Sequence, residues 1–102
     1  MVSFLDGAVG NVTAAYRSAG MWESTIMVLF GDNGGWMSSN GTAGGNNYPL
    51  KGGKYNNWEG GIRVNAFVAG GFLHASLRGT TYAGLVAGWD WYVCSYHFQC
   101  RW

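Results

Sequence analysis

The chain has 102 residues, with 6 Lys and Arg against 5 Asp and Glu and a formal net charge of +1. It is therefore at most one domain and carries no field that would draw nucleic acid or an anionic membrane surface. A hydrophobic content of 48% excludes a chain disordered by composition, while the longest uninterrupted apolar run, Ile26 to Phe30, is far short of the roughly 20 residues that span a bilayer. The 18 Gly, about two and a half times the usual share, and 17% aromatic residues beside 11% charged ones describe loops cut from an interior more than a self-covering domain.

Residues 1–20 predict an amphipathic helix, because Phe4, Leu5, Ala8, Val9, Val12, Ala15 and Tyr16 recur at three- and four-residue spacing and form one apolar stripe. Ser3 followed by Asp6 fits a capping box at its start, and Gly20 suits a left-handed residue at its end. Thr25 to Phe30 is continuous and largely apolar, the pattern of a strand buried on both faces in a parallel sheet, so helix and strand together predict an α/β fold. Gly31 to Asn47 is rich in Gly and Asn and reads as an irregular loop leaving the end of that strand. Ile62 to Ala69 reads as a second strand and Leu85 to Ala87 as a short third, and Asp90 is placed to cap a helix beginning at Trp91. After Tyr92 the run VCSYHFQCRW has neither helical nor strand periodicity, which divides the chain into 1–92 and an atypical tail, 93–102. No signal peptide is expected within these residues, since a basic region followed by an apolar run and a cleavage site is absent.

The chemistry-bearing residues follow the first strand. Asp32 and Asn33 stand at its carboxyl end, where α/β proteins place ligands, and both offer hard oxygens of the kind Ca²⁺ or Mg²⁺ takes; the same residues also make an ordinary Asx turn. Lys51 and Lys54 lie in a loop opened by Gly52 and Gly53, where an ammonium group can meet a sulfate or phosphate without crowding, or simply be solvated. Glu59 and Arg63, four apart, read as a structural ion pair. His74 and His97 have no catalytic partner at a diagnostic spacing and receive no role. Asn11 and Asn40 head glycosylation sequons, Cys94 and Cys100 match neither redox nor zinc spacing, and the 6 Trp and 6 Tyr serve either packing or sugar stacking.

Taken in order, LDGAVGNVTAAYRSAGMWESTIMVLFGDNGG, then GGNNYPLKGGKYNNWEGGIRV, then GLVAGWDWY resembles a central-to-late segment of type I sulfatases, closest to arylsulfatase B-like (N-acetylgalactosamine-4-sulfatase-like) enzymes. The resemblance covers residues 1 to about 92 and implies part of the alkaline-phosphatase-like α/β fold, with an N-terminal helix, a buried strand, a Gly-rich loop and one or two further short strands. It also implies that Asp32 and Asn33 are Ca²⁺ ligands, that Lys54 contacts the substrate sulfate, and that the parent activity is hydrolysis of sulfate esters of carbohydrates or aryl alcohols in a lysosomal or secreted setting.

The family's nucleophile is a formylglycine hydrate made from a Cys in a Cys-x-Pro/Ser-x-Arg motif, and neither Cys94 nor Cys100 stands in one. An upstream Asp-Asp metal pair is absent as well, so the isolated chain is expected to be an inactive, truncated arylsulfatase-like protein with an incomplete cation site. Asn65, Ala87, Trp89 and Val93 occupy positions where the family pattern has Pro, His, Ser or Thr, and Pro. Every valine codon begins with GT, the usual start of an intron, so the tail from Val93 is read as translation running from an exon into an intron, and Met1 as an internal start. The rival readings are a small secreted carbohydrate-binding module and a nonfunctional gene-model product.

Overall fold

The computed structural model describes residues 1–38 and 44–91. Asn40, His97, Cys94, Cys100 and the expected boundary at 92/93 lie outside the described residues.

Helix α1 spans Val2–Ser18. It begins two residues earlier than a Ser3 cap requires: the Met1 carbonyl accepts the Phe4 and Leu5 N–H groups, both at 3.1 Å, and no side chain caps the start. The Ser3–Asp6 capping box is therefore not formed, because Ser3 is already helical and its hydroxyl is not at the cap position. The C-terminal expectation holds. Gly20 takes φ +69, and its N–H bonds the Arg17 carbonyl at 3.1 Å while that of Met21 bonds Tyr16 at 3.0 Å, a Schellman closure that satisfies the last carbonyls. The chain then makes a 3₁₀ turn at Trp22–Ser24, tied back to α1 by the Arg17 guanidinium 4.4 Å above the Trp22 ring.

Strand β1, Met27–Phe30, pairs with strand β2, Ala66–Ala69, in the antiparallel register Met27 to Ala69 and Phe30 to Ala66. The Gly31 N–H continues the ladder to the Asn65 carbonyl at 3.2 Å. Among the described residues the sheet has two strands, so the expectation of a parallel strand buried on both faces is corrected: Met27 to Leu29 are half-buried and Phe30 is exposed. An apolar run states what a strand can be buried against, and among the described residues no layer covers this sheet. The second strand is also shorter than Ile62 to Ala69, because Glu59–Ile62 forms a helical turn, α2, before the chain extends.

No third strand forms at Leu85 to Ala87, where Leu85 is 97% exposed and no strand edge lies alongside. Asp90 is not the cap of the next helix. The helical assignment starts at Asp90 itself, whose Oδ2 accepts the Ala87 N–H at 2.7 Å and whose own N–H bonds the Ala87 carbonyl at 2.9 Å, closing the turn that leads into it. Trp91 stacks on Phe30, with ring centroids 6.3 Å apart, and brings this turn to the end of β1.

Among the described residues no hydrophobic side chain is buried, and the buried positions are Gly52, Gly53, Gly60, Gly61 and Gly70. The apolar stripe of α1 is largely uncovered, with Phe4 82% exposed and Leu5 54%. None of the helices among the described residues is long and apolar enough to cross a membrane.

Candidate functional site

The best-packed part of the molecule is a knot of loops at the carboxyl end of β1, built from backbone against backbone. The Gly34 N–H donates to the Gly61 carbonyl at 2.8 Å, the Gly60 N–H to that of Lys51 at 2.8 Å, and the Lys54 N–H to that of Gly35 at 3.0 Å. These three bonds join the loop after β1, the lysine loop and the start of α2. Such close approach tolerates no side chain: a Cβ on Gly34 would overlap the Gly60 carbonyl, and one on Gly60 the Gly52 carbonyl.

Two asparagine side chains complete the knot. Asn47 Oδ1 accepts the Gly35 N–H at 2.8 Å, and its Nδ2 donates to the carbonyls of Gly35 at 2.8 Å and Gly52 at 3.0 Å. Asn56 Oδ1 accepts the N–H groups of Gly53 at 3.2 Å and Trp58 at 3.3 Å. The sequence reading singled out neither. The signal was there in Asn-rich, Gly-rich stretches, since short carboxamides substitute for backbone partners in irregular chain, but nothing local to the sequence says which Asn does so.

Asp32 and Asn33 sit together at the mouth of this knot. Asp32 is exposed, and its Oδ1 accepts the Asn33 N–H at 2.8 Å; Asn33 is half-buried and its Nδ2 donates to the Gly34 carbonyl at 2.8 Å. Both arrangements orient the side chains by their nitrogen-facing contacts. No donor among the described residues engages Asp32 Oδ2 or Asn33 Oδ1. Those two oxygens suit a hard cation such as Ca²⁺, which takes 6 to 8 oxygen ligands, and so fit it as part of a shell. No group of three His, Cys, Asp or Glu occurs among the described residues, so the remaining ligands are not supplied by such a cluster.

Lys54 is held at its backbone and exposed at its side chain, with Nζ 5.4 Å from the Tyr55 ring centroid. Tyr55 has φ +79. Lys51 is engaged differently, its ammonium lying 3.8 Å over the Trp58 ring. Of the two lysines, Lys54 is thus the one tied to the loop that carries Asp32 and Asn33. Glu59 and Arg63 form the expected pair across one turn of α2, at 3.3 Å and exposed. His74 caps the 3₁₀ turn Ala75–Leu77, its Nδ1 taking the Ser76 N–H at 3.3 Å, which agrees with a structural histidine. Asn11 lies exposed within α1.

The sulfatase family model matches residues 1–87. The chain belongs to the sulfatase family. This sulfatase segment is 44% identical to mouse arylsulfatase J over 95 residues, which is 90% of the chain and 14% of that protein. Mouse steryl-sulfatase is 38% identical over 71 residues, covering 66% of the chain and 11% of the relative, and rat steryl-sulfatase is 39% identical over the same length. The chain therefore spans about one seventh of the length of its curated relatives or less. No solved structure matches it. Membership implies the alkaline-phosphatase-like α/β fold, of which the observed helix and antiparallel strand pair are a small part, and does not favour a carbohydrate-binding module.

Proposed function

We propose that this chain carries part of the catalytic centre of a sulfuric ester hydrolase of the arylsulfatase type, with Asp32 and Asn33 as oxygen ligands of Ca²⁺ and Lys54 as a contact of the substrate sulfate. The observation that supports this most directly is the joint at Gly35. Its carbonyl accepts the Lys54 N–H at 3.0 Å, so the lysine is anchored two residues along from Asn33 although 21 positions separate them in sequence. The exposed Lys54 ammonium is thereby carried on a loop joined to the one that holds Asp32 Oδ2 and Asn33 Oδ1, which no donor among the described residues engages.

A bound cation supplies electrophilic stabilisation of charge on the sulfate oxygens. Asp32 brings the negative charge that retains it, Asn33 adds a neutral oxygen, and Lys54 contributes a fixed positive charge on the sulfate side. The 102 residues contain no Cys-x-Pro/Ser-x-Arg motif, so they bind and orient sulfate without a nucleophile to attack it. The finer substrate class we propose is an aryl or carbohydrate sulfate of the N-acetylgalactosamine-4-sulfate kind, met in a lysosomal or secreted setting, with no nucleic-acid partner.

Calorimetric titration of the 102-residue chain with Ca²⁺ tests the cation half, and an assay with a chromogenic aryl sulfate tests the rest. Millimolar or weaker Ca²⁺ binding abolished by Asp32→Ala is expected, together with no turnover. Micromolar binding lost on Asp32→Ala, or turnover that disappears with Lys54→Ala, overturns the assignment of this chain as a partial site.

A further inference from the structure

We infer that Asn47 is a positioning residue that sets the distance between the cation ligands and the sulfate-binding lysine. The carboxamide does what a neighbouring β-strand would otherwise do. It exchanges a donor and an acceptor with the same residue, Gly35, accepting its N–H at 2.8 Å and donating to its carbonyl at 2.8 Å. The second proton of Nδ2 reaches the Gly52 carbonyl at 3.0 Å, which belongs to the lysine loop. The Gly35 carbonyl is shared, because it also accepts the Lys54 N–H at 3.0 Å. One half-buried side chain therefore grips the loop of Asp32 and Asn33 two residues beyond Asn33 and the loop of Lys54 two residues before Lys54.

Little apolar packing is available to do this work: Met37 lies near Gly53 across the gap but is itself 52% exposed. Gly34, Gly35, Gly52 and Gly53 carry no side chains, and no hydrophobic residue among the described ones is buried. Among the described residues hydrogen bonds are thus the main directional constraints on the gap between the two loops. Asn47 makes three of the bonds that join the loops, two with Gly35 and one with Gly52, and the Lys54 N–H adds one to the same carbonyl that Asn47 orients. Carbonyl oxygens accept two donors at defined lone-pair directions, so removing one donor frees the other to tilt. Asn47 touches neither the proposed cation nor sulfate position; it acts through Gly35 and Gly52.

This inference rests on the reading of Asp32, Asn33 and Lys54 as cation and sulfate groups, and its test separates the two. Amide hydrogen exchange by NMR is measured on the full chain and on Asn47→Ala and Asn47→Asp. The aspartate keeps the size of the side chain and the acceptor for Gly35 N–H but has no donor for the Gly35 and Gly52 carbonyls. In both variants the Lys54 amide should exchange at least about tenfold faster, while amides of the β1–β2 ladder such as Val28 keep their wild-type rates. La³⁺, as a diamagnetic Ca²⁺ probe, should shift the amides of both Asn33 and Lys54 in the wild type but only that of Asn33 in the variants.

An unchanged Lys54 exchange rate in both variants overturns the positioning role. So does loss of the ladder amides along with it, which would make Asn47 a general folding residue. If La³⁺ shifts no amide in the wild type, the cation assignment fails instead, and the exchange result still decides whether Asn47 joins the two loops.

Discussion

The same chemical change, Gly to Ala, is expected to have opposite effects in helix α1 and in the knot of loops after β1. At Gly7 and Gly10, inside α1, an added Cβ meets nothing within 4 Å. Alanine is the better helix former by about 0.8 to 1.0 kcal/mol per site, and the doubly substituted chain should gain about 2 kcal/mol in helix stability. At Gly34 the added Cβ overlaps the Gly60 carbonyl oxygen and lies 2.7 Å from its carbon and 3.2 Å from the Gly61 Cα. All three are backbone atoms and cannot rotate aside, so the loops must part. Overpacking of this kind costs about 1 to 3 kcal/mol, and the 2.8 Å bond from the Gly34 N–H to the Gly61 carbonyl, about 1 kcal/mol net, goes with it. The expected local destabilisation is about 2 to 4 kcal/mol, which would speed exchange of the Gly60 and Lys54 amides about 30-fold or more. Far-UV circular dichroism reads the helix pair and amide exchange reads the loop variant. Gly34→Ala with Gly60 and Lys54 exchange unchanged, or a loss of helix content in the Gly7→Ala, Gly10→Ala chain, would refute this account of where the glycines matter.

Two other substitutions separate apparent from actual interactions. Phe4→Ala removes a residue from the apolar stripe of α1, a change that costs about 3 to 5 kcal/mol in a packed core, but Phe4 is 82% exposed and the expected cost to the thermal transition of this chain is under about 0.5 kcal/mol. A cost above about 2 kcal/mol would show that the stripe is covered within the 102 residues. Glu59→Gln breaks the 3.3 Å pair with Arg63, and because both partners are exposed, denaturation midpoints should move by an amount corresponding to less than about 0.5 kcal/mol and vanish as a difference in high salt.

The helix and the first strand were legible because their signals are local. The stripe of Phe4, Val9, Val12 and Tyr16 repeats on one helical face, and the run ending at Phe30 has strand composition. Gly20 was legible as a left-handed helix end for the same reason: its φ of +69 is a property of one residue. Strand direction was not. Whether β1 runs parallel or antiparallel to its neighbour depends on which distant segment supplies the edge, and Ala66–Ala69 supplies it in reverse. The capping roles of Ser3 and Asp90 shifted by a turn or less, the scale on which a helix start is set by competing carbonyls rather than by one side chain.

Residue chemistry alone shows that Asp32, Asn33 and Lys54 have oxygens and a charge to offer, since their carboxylate, carboxamide and ammonium exist in any conformation. Motif order across the chain likewise determined the family, which the match over residues 1–87 bears out. Only the tertiary structure decided that the lysine loop and the loop after β1 share the Gly35 carbonyl, and that Asn47 is the side chain between them. The reason is physical. A hydrogen bond between positions 35 and 47, or 35 and 54, leaves no periodicity in the sequence, because glycine and asparagine look the same whether they face water or one another.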